Sequence, residues 1–193
     1  MTLIRLLLIA LALAACSIPD GDQESPSQLH YLWVKVRADG DTARMWELLH
    51  PDTRAEFEKW HAAEKALVTE IKTSYPAEDG KAALAAVGGA ARGELESPRD
   101  LFVMAVTTAP GAPGGMGAMG ARVRGEELSA DGATATVRTF GGDELVFRKG
   151  PSDKWFVTLS ADELVRLKNA RGRAEENLKR VRNNLAKLGR NKP

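Results

Sequence analysis

From Leu29 onward the apolar positions keep two rhythms, one helical and one strand-like. Leu29, Leu32, Trp33 and Val36 stand at i, i+3, i+4 and i+7, the spacing of one face of a helix. Ser25-Pro26-Ser27-Gln28 opens it with an N-cap serine, a proline at the first helical position and a glutamine at the third. Asp39-Gly40-Asp41 ends this helix and caps a short second one carrying Met45, Trp46, Leu48 and Leu49. Pro51 stops the second, and Asp52 is expected to cap a third whose buried side holds Phe57, Trp60, Leu67 and Ile71, ending near Tyr75-Pro76. A weaker alanine-rich helix is predicted over Asp79 to Val87, before Gly88-Gly89. Ser97-Pro98-Arg99-Asp100 opens another, with Leu101, Phe102, Ala105 and Val106 to bury.

The period then changes to two. Strands are predicted over Ala121 to Leu128, Ala133 to Phe140, Asp143 to Arg148 and Lys154 to Leu159, separated by Asp131-Gly132, Gly141-Gly142 and Gly150 to Asp153. Ala135, Val137 and Thr139 alternate with Thr134, Thr136 and Arg138, as a half-buried strand requires. Short turns make such strands antiparallel neighbours. The predicted fold class is α+β: amino-terminal helices packed on an antiparallel meander of about four strands, followed by a long carboxyl-terminal amphipathic helix.

That last helix opens on Ser160-Ala161-Asp162-Glu163, a capping box, and meets no proline before Pro193. Leu164, Leu167, Arg171, Ala174, Leu178, Val181, Leu185 and Leu188 alternate in steps of three and four. This is a heptad seam, breached at Arg171 and weak at Ala174. A seam so narrow suits one partner helix, either in this chain or in a second copy, so homo-oligomerisation through 161–193 is one expectation.

The first fifteen residues follow another logic. Met1 to Ala15 places one base, Arg5, before an unbroken apolar run from Leu6. That run is too short for a membrane span, which needs about 20 residues, and has the form of a secretory signal. Leu13-Ala14-Ala15-Cys16 resembles the lipobox of bacterial lipoproteins. The resemblance implies cleavage between Ala15 and Cys16, diacylglyceryl on the Cys16 thiol and further acylation of the new amino group. Cys16 is the only cysteine, and lipidation accounts for an odd thiol in an exported chain. Ser17 stands where an aspartate signals inner-membrane retention in some proteobacteria, so the periplasmic face of the outer membrane is favoured. Ser17 to Ser27 is rich in Pro, Gly and Ser and reads as a tether, able to reach roughly 35 Å when extended. The expected organisation is a signal over 1–15, a lipidated tether over 16–27, an α+β domain over 28–160 and a basic helix over 161–193.

Charge alters the picture of the two halves rather than of the whole, whose formal net charge is +1. Leu164 to Pro193 holds ten Lys/Arg and two acids, a balance of +8. Cys16 to Glu163 holds sixteen Lys/Arg and twenty-four acids, a balance of −8. A basic amphipathic helix suits an anionic surface or acidic partner, here an envelope component rather than nucleic acid, or a clasp onto the acidic remainder of the chain.

The segments DTARMWELLHPDTRAEFEKW and DGATATVRTF…LVFRKGPSDKWFVTLS, helices first and strands afterwards, resemble the nuclear-transport-factor-2-like (cystatin-like) cone fold across residues 28–160. That resemblance implies a curved sheet wrapped around helices, often with a pocket. Four strands and a long terminal helix depart from the family's usual pattern.

The chemical motifs are thin. Gly115 to Gly120 spells GxGxxG, but it follows a predicted helix and precedes a strand, the reverse of a dinucleotide site. Glu58 and His61 form one ExxH pair, continued by Glu64 on the same face, where a di-metal bundle needs two pairs; a solvated or interhelical polar face is expected. Tyr31, Tyr75 and Asp100 could serve acid–base chemistry in a cone pocket, yet no spacing unites them. Trp33, Trp46, Trp60 and Trp155 fit core positions. The expectation is therefore a non-enzymatic binding or assembly domain with no catalytic residue, metal site or cofactor, and with Cys16 as its modification site; a small enzyme using the cone pocket is the alternative.

Overall fold

The computed structural model describes residues 21–108, 120–150 and 152–190. Among these, six helices and four strands follow one another: α1 Pro26–Ala38, α2 Thr42–Leu48, α3 Pro51–Ser74, α4 Ala77–Ala86, α5 Pro98–Thr108, β1 Val123–Leu128, β2 Thr134–Thr139, β3 Glu144–Lys149, β4 Trp155–Thr158 and α6 Ala161–Arg190. The fold is α+β, with the helices before the strands and the long helix after them, as the change of period predicts. The elements gather into two compact units, one built from α1, α2 and the strands, the other from α3, α4, α5 and α6.

In the first unit the strands form one antiparallel meander in the order β1-β2-β3-β4. Register pairs Ala135 with Phe147, and Phe147 with Val157. Ala135, Val137, Thr139, Phe147, Trp155 and Val157 are all buried, and α1 packs on the sheet with Leu29, Trp33 and Val36 buried. Burying a side chain the size of Phe147 contributes about 1.5–3 kcal/mol. The outward positions of β2 are polar, and Arg138 there bridges Glu127 on β1 and Glu144 on β3. Ser25 caps α1 by accepting from the Gln28 amide, and Asp41 caps α2 by accepting from that of Arg44. Gly40 between them has φ +69, a conformation that glycine adopts without steric cost.

The far edge of the sheet is covered. The His50 amide donates to the Val157 carbonyl at 2.8 Å, and Leu49 forms a parallel bridge to Val157. Gln23 accepts from the Trp155 amide at 3.0 Å and donates through its side chain to the Trp155 carbonyl at 2.9 Å. Capping a β edge this way leaves fewer free backbone groups to recruit another chain. Gln23 falls within the tether expected over 16–27, of which only the part from Gly21 is described. Ala15, Cys16 and the expected signal over 1–15 lie outside the described residues.

The second unit is helical. Thr53, Phe57, Trp60, Glu64, Leu67 and Ile71 are buried along α3 in steps of four and three. Phe57 meets Phe102 of α5 edge-on, with ring centroids 5.5 Å apart. Leu67, Ile71 and Val181 of α6 form a core patch that Tyr75, Ala83, Leu84 and Val87 extend. α3 begins at Pro51 itself, so Asp52 stands in the first turn rather than at the cap. A proline fits the first helical position, and a carboxylate in that turn meets the positive end of the helix dipole. α4 likewise starts earlier than its alanines suggest, at Ala77, with Glu78 and Asp79 in its first turn.

Candidate interaction surface

Most of the polar residues singled out above are engaged in holding the fold. His61 is buried on α3 and its Nε2 donates to the Leu95 carbonyl at 2.9 Å. Glu64, also buried, accepts from Trp60 Nε1 at 3.0 Å and from Arg92 Nε at 2.7 Å. Glu58, the other half of the ExxH pair, is exposed. Of the solvated or interhelical polar face expected here, Glu58 is the solvated part, and His61 and Glu64 form a buried clasp that fastens the segment after α4 onto α3. Gly93 completes it: a Cβ there would lie 2.6 Å from the Glu64 carbonyl oxygen and 2.5 Å from Val68 Cγ2. No group of three or more metal-ligating side chains gathers among the described residues.

The candidate acid–base residues have separate duties. Asp100 accepts from the amide and hydroxyl of Ser97 at the start of α5, at 3.0 and 2.7 Å. Tyr75 packs on the apolar patch of the helical unit. Tyr31 is in the other unit, where its hydroxyl accepts from the Val123 amide at 3.3 Å. Beside it, His30 is 1% exposed and its Nε2 donates to the Ala121 carbonyl at 2.7 Å. Its Nδ1 has no partner among the described residues. Burial depresses the His30 pKa, against the opposing pull of that carbonyl and of Asp143. Of the GxGxxG run only Gly120 is described, where its carbonyl accepts from the Gly141 amide.

The sheet unit also carries an open depression of about 390 Å³ lined by Arg124, Arg138, Thr139, Asp143 and Glu144. Arg138 is held there by its two glutamates, which raise its pKa further. Opposite charges already pair across this hollow, and its lining residues include no hydrophobic side chain of the kind that buries a small ligand.

The helix α6 has a different character on each side. Leu167, Ala174 and Val181 are buried, while Leu164, Arg171, Leu178 and Leu185 are half-buried, so the seam read from the sequence is the side that packs on α3. Arg171 pairs with Glu56 at 3.1 Å and Arg182 with Glu70 at 2.9 Å, so the two helices run parallel. The hydrogen bond from Lys59, with the charges of Arg171 and Lys168, holds the Glu56 carboxyl below the usual carboxylate range. The hydrogen bond from Arg182, joined by Ser74, does the same for Glu70. The breach in the seam is therefore answered by a carboxylate on the facing helix. With the seam at heptad positions a and d, Arg166, Arg173, Arg180 and Lys187 all fall at c, and all four are exposed. Neither the charge balance nor the seam by itself marks this row; the seven-residue spacing of the bases does.

In comparisons with known proteins, the chain matches no protein family, no curated protein and no solved structure.

Proposed function

We propose that this chain is a lipid-anchored protein of the bacterial envelope, held through Cys16 at the periplasmic face of the outer membrane, whose folded part works by binding or assembly. The observation that carries the proposal is Leu13-Ala14-Ala15-Cys16 at the end of a short apolar run, with the chain's single cysteine in the modified position. The engagement of His61, Glu64, Asp100 and Tyr31 in clasps and caps supports a binding role over a catalytic one. Two or more acyl chains give stable anchoring where one gives only marginal binding. Mass spectrometry of the chain purified from bacterial envelopes tests this. The proposal expects an amino terminus at Cys16 carrying diacylglyceryl, and a Cys16→Ser chain that carries no lipid. A mature chain whose Cys16 is a free thiol would overturn it.

A further inference from the structure

We infer that the row Arg166, Arg173, Arg180 and Lys187 on α6 is a docking surface for anionic phospholipid headgroups. This deepens the binding role proposed above by naming the surface and its partner. The four bases stand seven residues apart, about 10.5 Å at each step along the helix axis, so the row is about 31 Å long. All four are exposed, and Arg180 pairs with Glu176 at 2.8 Å, itself 64% exposed. The seam holds the opposite side of the same helix on α3, so the row is carried on a packed helix and needs no folding on contact. Asn169 and Asn184 lie exposed on the same flank and add amide donors for phosphate oxygens.

The chemistry of this flank favours a headgroup layer over a protein. Protein interfaces draw most of their energy from a few buried aromatic or large apolar anchors. Val165 is the one exposed large hydrophobic side chain of α6 among the described residues. A flank of bases and amides with so little to bury has no anchor for a protein pocket, whereas a plane of anionic headgroups asks only for accessible positive charge. A second copy of this chain docked row to row would bring like charges together. Each Lys or Arg held near an anionic leaflet strengthens partitioning about five-fold, an effect confined to roughly a Debye length.

The test uses the full chain carrying Cys16→Ser, which has no acyl group, with phosphatidylcholine vesicles prepared with and without phosphatidylglycerol. The start of the chain, with Arg5, is the same in every variant, so differences between variants read the row and do not depend on lipidation. The inference expects tighter binding to the phosphatidylglycerol vesicles, weakening as salt rises. Arg166, Arg173, Arg180 and Lys187 all changed to Gln should lower that binding by up to about 600-fold. The same four charges removed at Lys65, Lys81, Arg99 and Lys154, also exposed, should change it much less, and replacing the three arginines by lysine should preserve it. Equal binding to both vesicles, or equal losses in the row and control variants, would overturn the inference. So would capture of an acidic protein in place of the vesicles. Circular dichroism of each variant guards against lost structure, and a row variant that keeps its helix but loses no affinity counts against the inference.

Discussion

The two units use charge in opposite ways. In the sheet unit, charge decorates: Glu127, Arg138 and Glu144 pair on the exposed face of neighbouring strands, where ion pairs contribute about 0–1 kcal/mol. Its cohesion comes from apolar faces in register, with Val137 and Phe147 both fully buried. In the helical unit, charge connects one element to another. Glu64 ties the Arg92 segment to α3, and Glu56 and Glu70 tie α6 to it. The cause is visible in the side chains. An alternating strand separates its polar and apolar residues onto two faces, whereas both helical seams are interrupted, at Glu64 and at Arg171, and each interruption needs a partner of opposite sign.

The largest expected effect of breaking this contrast lies in the sheet. Phe147→Ala should cost about 3–5 kcal/mol in denaturant unfolding, with little dependence on salt. Next comes the clasp of the helical unit. Gly93→Ala should cost about 1–3 kcal/mol, because its Cβ has no room between Val68 and Glu64. Gly125→Ala on β1 would meet nothing within 4 Å, and should change stability by only about 0.5 kcal/mol or less. Hydrogen exchange resolved by segment would assign each loss to its own unit.

Acid should separate the units further. His30 has a folded pKa below its unfolded value of 6.5, so the unfolded chain takes up the proton first. The contribution from its burial is complete above pH 6.5 and declines as pH falls from there toward the folded value. Glu56 and Glu70 have folded pKa values below the ordinary 4.5, so their contribution is present above 4.5 and is lost only as pH falls through the folded values. Protection of α1 and β2 should therefore weaken at milder acidity than protection along α3 and α6, and His30→Phe should remove the earlier of the two losses. The smallest effect is expected at the seam. Arg171→Leu leaves Glu56 its bond to Lys59 and should alter stability by about 1 kcal/mol or less, while reducing its dependence on salt.

What was legible in the chain follows from how far each signal reaches. The strands of the meander, the caps at Ser25 and Asp41, and the seam of α6 depend on neighbours a few residues away, so periodicity exposes them. The starts of α3 and α4 are blurred by Pro51 and Pro76, which can stand just outside a helix or within its first turn. The bonds of Gln23 to Trp155 and of Arg92 to Glu64 join residues far apart in sequence, and nothing local marks them. Glu64 did carry a hint, since it occupies a seam position between Trp60 and Leu67 where an apolar residue belongs. The expected lipidation at Cys16 came from a motif of four residues, and so stands independently of everything the folded units display.

The central claim is that α6 keeps one side on α3 and turns its bases to solvent, and adjacent residues test it most directly. Arg173 is exposed and Ala174 is 2% exposed. In the full chain carrying Cys16→Ser, Arg173→Cys and Ala174→Cys would each be reacted with a soluble alkylating reagent under native conditions. The thiol at 173 should react at the rate of a free thiol and the one at 174 at least about 100-fold more slowly, in keeping with a packed helix opening only rarely. Equal rates at the two positions, with the helical circular dichroism intact, would contradict the account.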